Sequence, residues 1–297
     1  MYFKILSNDL THYGYTYHEG LNEDPEPFEP YTTYIGGLFF SNEEDILEFC
    51  GRGDKIAEVT LPEGETVIEW KHNHKAHRIV LGKIRDLWTV ETFQWLKECG
   101  VNLHVGYEWP LRKAAEKGCL DVVKYLVEHG ADIHALKNAA FMNAALEGHL
   151  DIVKYLVLKG VDIHVPNDGA LIWSACAGHL EIVKYLVEQG ANVHTKNNYA
   201  LREMAADGHL EIVKCLVEHG ADIHAMDDDA LCRAATGNHL EVVKYLVEQG
   251  ADLNAVDPVI YWVKRNNHQD VLEYFKDECL RHAGKYARLE KRLMTPN

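Results

Sequence analysis

The sequence predicts a mainly α fold, a solenoid of helical repeats preceded by a small α+β domain. Three observations predict it. First, GHLEIVKYLVEQGANVH at Gly178–His194 returns 30 residues earlier as GHLDIVKYLVLKGVDIH from Gly148 and 30 later as GHLEIVKCLVEHGADIH from Gly208, with further copies from Gly118 and Asn238. A fixed period of this size marks stacked repeats. Second, each copy opens on a glycine, or on Asn238 in the last, carries its apolar residues at helical spacing, and stops its helix on a second glycine. Third, the period is absent before residue 87, where short apolar runs alternate with Pro- and Gly-bearing turns.

In chain order, Tyr2 to Leu6 is short, apolar and stopped by Ser7-Asn8-Asp9, as a strand entering a turn would be. His12 to His18, rich in Tyr and Thr, is a second strand candidate, and the acidic stretch Asn22 to Pro30, with Pro25 and Pro27, is a loop. Gly36-Gly37 leads into a buried strand at Leu38-Phe39-Phe40. Ser41-Asn42-Glu43-Glu44 has the S-x-x-E form of a capping box, so a helix should follow, with Ile46, Leu47 and Phe49 inward and a stop at Gly51. Lys55 to Leu61 puts Ala57, Val59 and Leu61 on one strand face; Pro62-Glu63-Gly64 turns, Thr66 to Trp70 returns, and Arg78 to Leu81 is a last strand. Residues 1–86 thus read as an α+β domain of mostly antiparallel strands.

Residues 87–275 read as the solenoid: a half-repeat cap, about five full repeats from 107 to 255 and a C-terminal cap repeat. Each repeat should hold two antiparallel helices. In the second helix Leu180, Ile182, Val183, Leu186 and Val187 form the buried face, and Gly190 is a left-handed stop. On its outer side Glu181 and Lys184 can pair, as can Asp121/Lys124, Asp151/Lys154, Glu211/Lys214 and Glu241/Lys244, which makes a solvated ladder. Asn138, Asp168, Asn198 and Asp228 recur just before the first helices and read as N-caps, and Asp257-Pro258 repeats that design. Behind them Leu111, Phe141, Leu171, Leu201 and Leu231 fill one buried site; Ala115, Ala145, Ala175, Ala205 and Ala235 fill another and let helices approach closely. In the half-repeat, Val90 to Gly100, the interface changes to Thr92, Phe93 and Trp95, which suits docking against the N-terminal domain. At the far end, Val259 to Phe275 carries altered outer residues Tyr261, Arg265 and Gln269. Residues 276–297 form a basic tail, with Arg281, Lys285, Arg288, Lys291 and Arg292, expected as a solvated helix up to Thr295-Pro296.

The motif G-H-L-E-I-V-K-Y-L-V-E-x-G-A-D-I-H resembles the second half of the ankyrin repeat, over roughly Leu87 to Phe275. The usual period in that family is 33. Here only Leu136, Lys137, Asn138 and Ala139 separate Ala135 from Ala140, so the hairpin finger is short and the Thr-Pro-Leu-His start is missing. This weighs against binding through the finger. The short form resembles repeat proteins numerous in giant DNA viruses, whose N-terminal segments are similar to residues 1–86. The resemblance implies an adaptor or scaffold that binds a protein partner through the solenoid, as a viral factor engaging host protein or as a virion component. Its variable positions, carried onto this chain, are the pairs Glu116/Lys117, Leu146/Glu147, Cys176/Ala177, Ala206/Asp207 and Thr236/Gly237, with the finger residues Lys137, Asn167, Asn197 and Asp227. Trp173 and Tyr199 add aromatic anchors, a type enriched in hot spots. Trp173 occupies a normally aliphatic site, where core packing is the competing expectation.

A formal net charge of −16, from 46 acidic and 30 basic residues, weighs against a nucleic-acid or anionic-membrane footprint. Seven scattered cysteines without a CxxC pair read as thiols of a reducing compartment. The start MYFKILSNDL has no signal-peptide pattern, and no stretch approaches a membrane span. The expectation is a monomeric, cytoplasmic protein (host cytoplasm if viral) that needs no cofactor or metal.

His72, His74 and His77 have possible metal spacing, yet a solvated polar loop explains them more simply. The serial histidines (His104, His134, His164, His194 and His224; His149, His179, His209 and His239) could form a pH-sensitive ladder. The plainer expectation is that each imidazole bridges backbone groups of its own loop or the next repeat. No nucleophile–base pair or phosphate loop argues for catalysis. The alternative is a catalytic N-terminal domain targeted by the repeats. Its strand–Gly-Gly-Leu-Phe-Phe–helix pattern is faintly similar to ADP-ribosyltransferase-like folds, and a pocket in residues 1–86 lined by convergent polar groups would favour it.

Overall fold

The computed structural model describes residues 1–12, 14–29, 37–70, 72–282 and 284–294. The chain divides into two compact units. One comprises Met1–Ala144 with Lys154–Val161, the other Ala145–Val153 with the chain from Asp162 on.

Among the described residues the first unit opens with ten strands: β1 (Tyr2–Leu6), β2 (Thr11–His12), β3 (Tyr15–Thr16), β4 (Gly20–Glu23), β5 (Leu38–Asn42), β6 (Lys55–Thr60), β7 (Ile68–Glu69), β8 (His74–Ala76), β9 (Arg78–Leu81) and β10 (Arg85–Asp86). The main sheet runs β4-β9-β6-β1-β5-β8-β7, with β10 also on β6 and every pair antiparallel; β2 and β3 form a ladder of their own. Alternation along the strands sends Leu6, Leu38, Phe40, Val59 and Leu81 into one core with Tyr17, and Leu61 packs on its margin.

Four local expectations are corrected here. His12 to His18 is no single strand: Tyr17 N–H returns to Leu10 C=O at 2.8 Å, which folds the segment into the β2–β3 hairpin. Asn22 and Glu23 belong to strand β4, because Gly20–Glu23 pairs in register with Arg78–Leu81; Pro30 and Gly36 lie outside the described residues. The capping box does not form. Ser41 sits in β5 and donates to the His72 carbonyl, while Asn42 Oδ1 accepts from the amides of Glu44 and Asp45, and the helix is a single 3-10 turn, Ile46–Phe49. His74 lies in β8, buried and stacked on Phe40, so the polar stretch is a core strand at that point.

Beyond the sheet the first unit carries α1 (Val90–Glu98), α2 (Val105–Glu116), α3 (Leu120–Glu128) and parts of α4 (Ala135–Leu146) and α5 (Leu150–Leu158). Thr89 Oγ1 caps α1 by accepting from Thr92 N–H. The half-repeat docks on the strands as its altered interface suggests: Trp95 meets Phe3 edge to face at 5.6 Å, Arg85 lies over Trp95 at 4.1 Å, and the Asn102 amide donates to the Glu43 carbonyl.

The second unit continues through α6 (Gly169–Cys176), α7 (Leu180–Glu188), α8 (Thr195–Asp207), α9 (Leu210–Glu218), α10 (Ala225–Thr236), α11 (Leu240–Glu248), α12 (Ile260–Arg265), α13 (Gln269–Arg281) and α14 (Ala287–Met294). Leu171, Leu201 and Leu231, with Ala175, Ala205 and Ala235, are buried, as are Ile182, Val183, Leu186 and Val187 of α7. Glu181, Glu211 and Glu241 pair with Lys184, Lys214 and Lys244 at 2.8–2.9 Å on the solvent side. The tail differs from expectation. Leu289 and Leu293 are buried, and Arg288 and Arg292 reach the buried Asp257, so α14 is packed and not a free solvated helix; Thr295 and Pro296 lie outside the described residues.

The residues read as N-caps have another role. Asn138, Asp168, Asn198 and Asp228 are buried, and each is the last residue of a left-handed turn: φ is 64°, 49°, 55° and 57°. No side-chain cap forms at Asp168. Instead Oδ1 accepts from the imidazole four residues back, His134, His164, His194 or His224, at 2.8–3.2 Å. In the second unit it also accepts a backbone N–H 24 residues on: Asn192 to Asp168, Asp222 to Asn198 and Asp252 to Asp228. A local cap motif has become a link between repeats.

Candidate functional site

The residues expected to bind a partner separate into three groups. Glu116 and Lys117 are committed inside the first unit. Lys113 reaches Glu116 at 2.6 Å, and Lys117 reaches Asp54 at 2.7 Å. Asp54 also accepts from Trp88 Nε1 and Asn8, and the hydrogen bond from Lys117, ahead of the others, holds its carboxyl below the usual range.

The finger residues Lys137, Asn167, Asn197 and Asp227 are exposed apices. Each has positive φ, between 52° and 58°. Asn and Asp tolerate that region; for other residues it costs roughly 1–2 kcal/mol. The finger is therefore a compact left-handed turn, and the buried side chain that follows it holds it in place.

The third group lies on the first helices of the second unit and the ends of those helices. Leu146, Glu147, Cys176 and Asp207 are exposed. Trp173 is 43% exposed, which sets aside core packing. Tyr199 is half-buried, with the cations of Lys196 and Arg202 over its ring at 6.0 and 5.8 Å. Burial, and after it the carboxylates of Glu203 and Asp207, push the Cys176 thiol up.

The sequence reading missed the charged part of this face. Arg202 reaches Asp229 at 2.9 Å, and Arg233 reaches both Asp229, at 2.7 Å, and Glu203, at 3.1 Å. Burial acts to raise the Asp229 carboxyl, but the hydrogen bonds from Arg202 and Arg233 outweigh it and leave it below the usual range. Beside the network is a hollow of about 350 Å³ lined by Ala206, Asp229, Cys232, Arg233, Thr236 and Val259. Burial, then the carboxylates of Asp229 and Asp228, push the Cys232 thiol up to about 11, which favours the protonated thiol at neutral pH. The available signal was the period: Glu203 and Arg233 stand 30 and 60 residues after Trp173, and Asp229 stands 30 after Tyr199.

The three histidines do not converge. His74 packs against Tyr2 and Phe40, His77 faces Glu23 at 3.4 Å, and His72 lies 3.2 Å from Asp45. Among the described residues the one grouping with metal-ligand spacing is Asp45, Glu48 and His72, a partly exposed surface cluster. Among the described residues no helix is long and apolar enough to cross a membrane.

The family model of ankyrin repeats (three copies) matches residues 87–167, 111–197, 141–227 and 171–257, and so more than half of the chain. The chain is similar to an ankyrin repeat protein of Acanthamoeba polyphaga mimivirus, 32% identical over 144 residues, which is 41% of this chain and 46% of that one. A second ankyrin repeat protein of that virus is 31% identical over 128 residues, covering 41% and 39%. An uncharacterized protein of the same virus is 31% identical over 134 residues, covering 41% and 94%. The chain thus spans less than half the length of the first two relatives.

Proposed function

The chain belongs to the ankyrin-repeat family, and from that premise we propose that it is an interaction adaptor. In this reading its second unit binds a protein partner over the helix face that carries Trp173, Cys176, Glu203, Asp207 and Arg233. The exposure of Trp173 supports the reading most directly, because an indole left open to solvent is the kind of anchor that interfaces cover. The exposed carboxylate of Asp207 ends α8, that of Glu147 stands just past the end of α4, and Arg233 is occupied by Glu203 and Asp229. That balance suits a partner segment with an apolar side chain for Trp173 and basic groups for the carboxylates. The relatives in a giant virus support a viral origin and engagement of host protein as the finer form of this proposal.

The test is affinity capture on the full chain, read by mass spectrometry, with Trp173→Ala and Glu147→Arg/Asp207→Arg beside the wild type. A partner held by the wild type, lost on both variants and retained by Lys137→Ala supports the reading. A partner that all variants retain equally sinks it.

A further inference from the structure

Strands β1 and β5 pair only at Tyr2↔Asn42 and Phe3↔Ser41. Where Lys4 and Ile5 would continue the ladder, the strands part, and the Lys4 ammonium crosses the gap to donate to the Phe39 carbonyl at 2.6 Å. A cleft of about 420 Å³ opens there. Its polar lining brings Lys4 from β1, His12 from β2 and Arg52 from beyond the 3-10 turn to one space, with Ser7, Ser41 and Asn73 between them. Phe40, Ile46 and Phe49 form an apolar wall, and Arg52 lies over the Phe49 ring at 4.8 Å. Among the described residues no carboxylate lines the cleft, in a chain whose net charge is −16. Three basic side chains from separate segments are gathered here, and the nearby carboxylate of Asp9 is taken up by the hydroxyls of Ser7 and Thr11, at 2.6 and 2.7 Å.

We propose that this cleft binds a small organic anion, a phosphate or carboxylate head on an aromatic or aliphatic body, with Lys4, His12 and Arg52 around the head and Phe40, Ile46 and Phe49 around the body. The volume falls in the range of small-molecule sites, and a lining divided about equally between polar and apolar groups suits a ligand with a charged head and an apolar body. Arg52 offers the planar fork that suits either head. Lys4 is 3% exposed, beneath the Tyr17 ring at 4.3 Å, and burial lowers its pKa to about 7. Burial, and after it the charges of Lys4 and Arg52, lower His12 as well. The groups facing Lys4 are therefore His12, Arg52 and the phenol of Tyr17, which burial keeps protonated. An anion among them stabilises the charged amine, so binding takes up a proton and tightens as the pH falls through the region of 7. This site is independent of the repeat face.

The experiment is titration calorimetry on the full-length protein with phenyl phosphate, benzoate and inorganic phosphate, at pH 6 and pH 8.5. One aromatic anion is expected to bind at least tenfold more tightly than inorganic phosphate, which tests the apolar wall, and the stronger of the two organic probes identifies the head. Binding should weaken severalfold at pH 8.5. Arg52→Gln, an exposed change that leaves the fold intact, should cost about tenfold, the loss of a charged hydrogen bond. Lys4→Met should remove most of the pH dependence. Heat no different from buffer with all three probes at millimolar concentration overturns the proposal. So does binding that neither variant alters.

Discussion

Asp168 and Asn192 belong to successive repeats, and the buried carboxylate of the first accepts the backbone N–H of the second at 2.9 Å. The same carboxylate takes the imidazole of His164 at 2.8 Å and the hydroxyl of Thr195 at 2.9 Å. One short side chain therefore fixes its own left-handed turn and ties that turn to the next loop. Neighbour-to-neighbour terms of this kind are what hold a linear repeat array together.

Asp168→Ala would leave the Asn192 amide and the Thr195 hydroxyl without their acceptor. These groups are only partly buried, so at about 0.5–1.5 kcal/mol for each hydrogen bond lost a total loss of roughly 1–3 kcal/mol is expected. Urea unfolding followed by circular dichroism measures it. Thr195→Ala should lose about 1 kcal/mol, since the other two bonds remain. An Asp168→Ala variant with the wild-type midpoint would show that the link carries no stability.

A second link runs backwards between repeats. His239 Nε2 donates to the Ala206 carbonyl at 2.8 Å, and its ring occupies the space where a Cβ on Gly208 would stand, a residue whose φ is +77°. His179 repeats the arrangement with the Leu146 carbonyl, at 2.9 Å, and Gly148. Gly208→Ala should cost at least about 2 kcal/mol from strain and displacement of the ring. His239→Ala should cost about 1 kcal/mol for the lost bond. The double variant should cost less than the two added together, because the ring that obstructs the new methyl is gone. Strict additivity in the denaturation midpoints would disprove the coupling.

These links explain what could and could not be read from the chain. The buried positions of the repeat were legible, from Leu171 and Ala175 to Ile182 and Val183, because helical periodicity is a local property. The role of Asp168 was not, because Asp before an apolar run is also the mark of an N-cap and its decisive partner lies 24 residues away. The imidazoles were expected to bridge backbone groups. His179 and His239 do so, towards the preceding repeat, whereas His164, His194 and His224 meet a side chain of their own turn. In the sheet, β8 was hidden because His74 and Lys75 look like loop residues until their aromatic neighbours, Phe40 on one side and Phe39 on the other, are in place. On the candidate face the exposed pairs were legible through the family resemblance. The Arg202–Asp229–Arg233 network was not, since it joins residues of adjacent repeats.

Lys4 predicts a pH dependence whose sign is unusual for a surface cation. Burial lowers its folded pKa to about 7 from an ordinary 10.5, so between those values the folded state holds fewer protons than the unfolded one. Stability from this group therefore rises as the pH climbs from about 7 towards 10.5, and below 7 the full cost of a buried charge remains. Lys4→Met removes that cost, on the order of a few kcal/mol, and leaves the Phe39 carbonyl without its donor, about 1 kcal/mol. The variant should be more stable than wild type at pH 6, with the gap closing or reversing by pH 10. Equal differences in melting midpoint at both pH values would count against a buried, titrating Lys4.

At the C-terminal end the ion pairs of Asp257 predict an asymmetry. Asp257 is buried, and Arg288 Nε lies 2.9 Å from its Oδ2; Arg292 Nε lies 2.8 Å from Oδ1 as a charge contact, not an aligned hydrogen bond. The two arginine side chains are 77% and 48% exposed. Removing the carboxylate leaves two cations that water can still solvate, so Asp257→Ala should cost only about 1 kcal/mol. Removing both arginines strands a buried charge, and Arg288→Ala/Arg292→Ala should cost roughly 3–5 kcal/mol. That loss should come with faster amide exchange across α14, where Leu289 and Leu293 hold the helix against the repeat. If the two changes prove equally costly, Asp257 is stabilised by something other than the arginines. Unchanged exchange in α14 would then mean that its apolar face alone anchors the helix.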